Sequence, residues 1–184
     1  LGVLLISREL WKNWYMYELG IWEFKTALPL HLCGISALMA GAMLFKTKQR
    51  GIEFLALMSF SGALHALLTP QLNHGAATPQ IIEYYIGHGG VMLVPFYLII
   101  VEGYRIKKGS WKNVFLHCQI LLLCVGMINF ILEANYMYLC APPVVNNPLI
   151  IGSWPWYLLG LEVFGLIHIL LFYFLFRKFK PLPY

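Results

Sequence analysis

In TALPLHLCGIS, positions 26–36, a histidine and a cysteine stand two residues apart, His31 and Cys33, in an otherwise apolar run. An ionisable side chain is costly against lipid, so it faces a protein interior or a wet cavity and marks a functional site there. A thiol becomes a nucleophile toward an acyl carbonyl once an imidazole takes its proton. Without such a partner a buried cysteine is an inert small hydrophobe. Residues two apart on a helix point about 200° from each other, which keeps His31 from serving Cys33. The partner must come from another element, and His88 in YYIGHGGV is the best placed. Gly87, Gly89 and Gly90 let another backbone approach the imidazole closely, although the same glycines would also serve plain helix packing. His65, Asn129 and Glu162 complete the polar set, with Asn129 or His65 available to orient the imidazole or stabilise an oxyanion. His31 either joins the chemistry or anchors its helix near Pro29.

The elements that must position these residues are membrane-spanning helices. Hydrophobic residues make up 60% of the chain and charged ones 11%, with a mean hydropathy of +0.70, far above the range of a soluble domain. A hydrocarbon core about 30 Å thick takes roughly 20 apolar residues at ~1.5 Å each. Segments 27–45, 52–70, 81–102, 112–133 and 156–176 meet that length. LGVLLISREL, at 1–10, opens apolar without an initiator methionine and then turns polar and aromatic. It reads as the remnant of an earlier span; a signal peptide is disfavoured by the missing basic start and cleavage site. The expectation is an all-α polytopic bundle of five full spans plus that remnant, one transmembrane domain over 1–184, truncated at its N-terminus.

Lysine and arginine give the orientation, because short loops rich in them stay in the cytoplasm. FKTKQRG at 45–51, YRIKKGSWK at 104–112 and RKFK at 177–180 hold ten of the thirteen basic residues, whereas TPQLNHGAATPQ at 69–80 and the connection at 133–155 hold none. The C-terminus is thus expected inside, and the net charge of +5 fits contact with anionic inner-leaflet lipid, not nucleic acid. Counting ~1.5 Å per residue from the outer ends, His31, Cys33, His65, His88, Asn129 and Glu162 fall about 6 to 10 Å deep. His117 falls near the inner end and His168 near or below the midplane. The cysteines show no paired-motif spacing, and a Cys33–Cys140 bridge is disfavoured by the depth of Cys33.

LPLHLC at 28–33, ALLTP at 66–70, HG at 88–89, VEGYR at 101–105, NYMYLC at 135–140 before Pro142 and Pro143, and SWPWY at 153–157 together resemble the YwaF-like family of bacterial integral membrane proteins. That family is similar to the transmembrane protein 164 phospholipid acyltransferases. The resemblance implies a polytopic helical enzyme of the bacterial cytoplasmic membrane with two further N-terminal spans. By motif, it maps a cysteine and histidine catalytic pair onto Cys33 and His88. It implies thiol-mediated transfer of a fatty acyl group between membrane phospholipids through a covalent acyl-enzyme; no cofactor is expected. The aromatic NYMYL and SWPWY elements are an interfacial belt, or a lid formed by the long connection at 134–155.

Two readings from other classes stand beside this one. His31, Cys33, His65, His88 and Glu162 could bind zinc or copper, but no two share a helix at i, i+3 or i+4 spacing, so no metal is expected. A non-enzymatic transporter or substrate-binding subunit could line a solute pocket with the same residues. Its usual sign, interrupted helices in paired halves, is confined to Pro29 and Pro95 with no repeat relating them. The acyl donor and acceptor and the oligomeric state are not legible.

Overall fold

A computed structural model describes residues 1–70, 72, 77–143 and 150–180. The expected lid therefore falls partly outside the described residues, as does part of the connection at 69–80. Among the described residues every regular element is helical: α1 (Gly2–Glu18), α2 (Leu32–Phe45), α3 (Gln49–Leu68), α4 (Thr78–Val101), α5 (Ser110–Leu132) and α6 (Trp156–Phe176). The last four are long and apolar enough to cross a membrane, and α2 is a shorter apolar helix of 14 residues. The chain is a helical membrane bundle.

Its outer surface has the pattern that lipid requires. Leu116, Ile120, Leu123, Met127 and Phe130 recur every three or four residues on α5 and are exposed, as are Leu159, Val163, Ile167 and Leu171 on α6. Apolar stripes this long are not left to water. α1 is turned the same way: Val3, Leu10 and Trp14 face outward while Leu5, Glu9 and Met16 are buried. This 17-residue helix continues to Glu18, beyond the end expected for a remnant near residue 10.

The expected first span, 27–45, is helical only from Leu32. Pro29 explains the late start, since its ring removes an amide N–H and steers Leu28 away from helical angles. His31 is still extended, with φ −68° and ψ 149°, and caps the helix through its backbone position. Cys33 therefore lies in the first turn of α2. The premise that His31 and Cys33 point apart on one helix does not hold, because His31 lies before it.

α3 and α4 each contain a widened π turn, at Leu55–Ser59 and Tyr97–Val101. The second follows Pro95, which cannot donate into the ladder. The first precedes Phe60–Leu68 and sets the rotation of the half-helix carrying His65. The apolar core gathers where the basic connections lie, around Ile52, Leu55, Phe60, Leu98 and Phe176. There the Phe60 ring packs edge-on against Phe96, Phe172 and Phe176 at 4.9 to 5.5 Å. The opposite end of the bundle is hollow.

Candidate functional site

A cavity of about 730 Å³ occupies that hollow end and takes wall residues from all six helices. It is large enough for a substantial ligand. Of the residues singled out from sequence, His31, Cys33, His65, His88 and Glu162 line it. Asn129 is not among the lining residues.

Cys33 enters from the first turn of α2, where the backbone N–H groups have no intrahelical partner and a helix favours negative charge. Pro29 folds back over this turn so tightly that a Cβ on Gly34 would sit 3.1 Å from the Pro29 Cα. His88 enters from α4 and is 8% exposed. Its Nδ1 lies 2.7 Å from the Tyr84 carbonyl oxygen, and its ring packs against that of Tyr84, centroids 4.1 Å apart and planes tilted by 37°. A carbonyl can only accept, so Nδ1 carries the proton and the neutral imidazole keeps its lone pair on Nε2. Among the described residues no hydrogen bond joins the Cys33 thiol to an imidazole, and all four cysteines are free. The Cys33 thiol and the His88 imidazole line one chamber with no hydrogen bond between them.

The glycines around His88 admit α1. A Cβ on Gly87 would lie 2.3 Å from Arg8 Nη1, and one on Gly90 would lie 2.5 Å from Leu5 Cδ2. Gly89 has nothing within 4 Å. So it is α1 side chains that use the space, not the backbone of the helix bearing Cys33.

Arg8 brings a feature the sequence reading missed. Its guanidinium pairs with Glu83 and, at 3.1 Å, with Glu9, while Lys12 pairs with the other Glu9 oxygen. The Arg8, Glu9 and Glu83 side chains are 9%, 4% and 11% exposed, so the network is withdrawn from solvent and balances two positive against two negative charges. All four residues line the cavity. The legible signal was Arg8, Glu9 and Lys12 at i, i+1 and i+4, one polar face on a helix whose other face is apolar.

Asn129 and His31 hold the wall in place. The Asn129 amide accepts the Tyr136 N–H at 2.8 Å and donates to the Tyr136 carbonyl at 2.9 Å. Tyr136, fully buried, donates its hydroxyl to the Phe24 carbonyl at 2.6 Å and accepts the Leu28 N–H at 3.1 Å. His31 Nδ1 accepts the Met137 N–H at 3.2 Å. The NYMYLC segment thus ties the end of α5 to the stretch that delivers Cys33. In the same connection, Lys25 meets Glu133 at 2.8 Å and holds its exposed carboxyl below the usual range.

On the far wall His65 meets His168, Nε2 to Nε2, at 2.9 Å, and Gln119 donates to Glu162 at 2.7 Å. Helix rise from aligned ends predicts His168 well below His65. The ends do not align: His168 lies about 18 Å along α6 while His65 lies only about 5 Å from the end of α3, at ~1.5 Å per residue. The ends are offset by roughly 13 Å on the same rise. No three histidine, cysteine or carboxylate side chains stand close enough to hold a metal ion among the described residues.

A model of the TMEM164 family matches residues 1–173. No curated protein and no solved structure matches the chain.

Proposed function

We propose, from the premise that this chain belongs to the TMEM164 family, that it is a membrane-embedded transacylase moving a fatty acyl group between phospholipids. In this reading Cys33 is the nucleophile and His88 its base. The observation that carries it is the presence, in one cavity, of a first-turn cysteine and a histidine whose Nδ1 is held by Tyr84 and whose Nε2 makes no hydrogen bond among the described residues. The acyl-transfer class comes from the resemblance carried by LPLHLC and HG.

The chemistry runs in two halves. His88 Nε2 takes the thiol proton, and the Cys33 sulfur attacks an ester carbonyl of a phospholipid entering the cavity. Charge on the carbonyl oxygen is met by the unpartnered N–H groups that open α2. The ester C–O bond then breaks, the departing lysolipid oxygen takes the proton from His88, and the acyl group remains on Cys33 as a thioester. In the second half a lysolipid hydroxyl attacks that thioester and frees the thiol. The apolar stripes of α5 and α6 keep the bundle in the bilayer where both lipids reside. The basic connections at 45–51, 104–112 and 177–180 lie on the cytoplasmic side.

The ion-paired wall of Arg8, Glu9, Lys12 and Glu83 also suits a second reading, a solute-binding or transporting subunit. One pair of assays separates them. Purified protein in mixed micelles transfers labelled acyl chains to a lysophospholipid, and Cys33→Ala and His88→Ala abolish the transfer. Solute uptake into proteoliposomes that persists in Cys33→Ala, with no acyl transfer by the wild type, would select the second reading.

A further inference from the structure

Three histidines on the spanning helices use the same device to fix their protons. His88, His117 and His168 each aim Nδ1 at the carbonyl four residues earlier, those of Tyr84, Asn113 and Phe164. Each Nδ1 is therefore protonated. His65 departs from this pattern. Its Nδ1 makes no hydrogen bond among the described residues and is not one of the buried atoms left without a partner, so this nitrogen is not sealed off, and the residue that carries it lines the cavity.

The proton positions follow in sequence. His168 gives its Nδ1 hydrogen to Phe164 at 2.7 Å, so neutral His168 has its lone pair on Nε2. That nitrogen lies 2.9 Å from His65 Nε2, which must then be the donor. The lone pair of His65 is left on Nδ1. The two imidazoles form a chain with one free basic end. His65 follows Gly62 by one helical turn, and a Cβ on Gly62 would sit 3.1 Å from the side chain of Leu32, the neighbour of Cys33.

We infer that His65 is a second general base, acting on the acceptor hydroxyl in the deacylating half of the reaction, and that His168 is the positioning residue that fixes its tautomer. The inference rests on the Cys33 acyl-enzyme reading. As the acceptor oxygen bonds to the thioester carbonyl carbon, its proton passes to His65 Nδ1. The tetrahedral adduct collapses, the C–S bond breaks, and the electron pair leaves on the Cys33 sulfur. The proton held by His65 then neutralises that thiolate. One ester is formed, one thioester is consumed, and nothing is oxidised or reduced. His88 prepares the thiol from α4, and His65 prepares the acceptor from α3.

The test is the amount of acyl-enzyme at steady state, read by intact-protein mass spectrometry with a labelled phospholipid donor and a lysophospholipid acceptor. His65→Gln keeps a hydrogen-bonding group toward His168 but cannot serve as a base, and His65→Ala removes both. Deacylation slows by about 10²- to 10⁴-fold when a general base is lost, so both variants should accumulate the Cys33 thioester while wild type turns it over. His168→Ala should accumulate it too. His168→Gln, whose amide oxygen accepts the His65 Nε2–H, should restore release toward the wild-type rate. Labelling followed by wild-type release in folded His65→Gln overturns this inference alone. So does an equal defect in His168→Gln and His168→Ala. Turnover with no label on Cys33 in any protein overturns the acyl-enzyme reading and this inference with it.

Discussion

The guanidinium of Arg8 lies directly against Gly87, the residue before His88, with Nη1 only 2.3 Å from where a Cβ would be. α1 thus fixes the segment that presents the imidazole. Neither partner can shift freely, because Arg8 is also paired to Glu9 and Glu83.

Gly87→Ala should therefore force Arg8 from its pairs. Overpacking of this kind costs about 1–3 kcal/mol, and leaving a buried carboxylate unpaired adds to it. A lowered melting temperature in detergent and reduced acyl transfer are the expected readouts. Gly87→Ala combined with Arg8→Ala should cost less than the sum of the two single changes. Strict additivity would show that the contact does not constrain the site.

Asn129→Ala removes both partners of the buried Tyr136 backbone groups. An unsatisfied buried polar group costs about 1–3 kcal/mol, so the variant should melt well below wild type. Asn129→Asp retains an acceptor for the Tyr136 N–H and should fall between them. A melting temperature unchanged in Asn129→Ala would remove the clamp from the account.

This clamp also shows how far the sequence could be read. The spans over 52–70, 81–102, 112–133 and 156–176 were legible because apolar length is a one-dimensional property. The start of α2 was not given its proper place, although Pro29 was visible, because apolar content continues through residues that cannot be helical. Loop charge and helix rise set Cys33, His88, His65 and Glu162 in one layer, and all four line the cavity, although the offset of α6 means that rise alone does not give the depth of Glu162. Asn129 was counted in the same layer, yet which way a side chain turns depends on tertiary packing, and it turns to Tyr136. The His65–His168 pair was hidden by the offset of α3 against α6, which no local pattern records.

His88→Gln preserves size and hydrogen bonding but cannot accept the thiol proton. Transfer should fall about 10²- to 10⁴-fold with the melting temperature nearly unchanged. A comparable loss of folding would assign His88 a packing role through its contact with Tyr84 instead.

The exposed Lys25–Glu133 pair sets a pH dependence of known sign. Because Lys25 lowers the folded-state pKa of Glu133, the stabilisation is present above the ordinary glutamate range and is lost as pH falls through the lowered value. Solvent screening keeps it small. In a carboxyl NMR titration the Glu133 midpoint of wild type should lie below that of Lys25→Met. Coincident midpoints would show that the pair does not persist in solution.

Capture of the covalent intermediate tests the central claim most directly. Protein mixed with an isotopically labelled phospholipid, quenched in acid and digested, should yield a peptide carrying the labelled acyl group on Cys33, cleavable by neutral hydroxylamine. Cys33→Ala should give neither the peptide nor any turnover. Acyl transfer at the wild-type rate by folded Cys33→Ala would contradict the account.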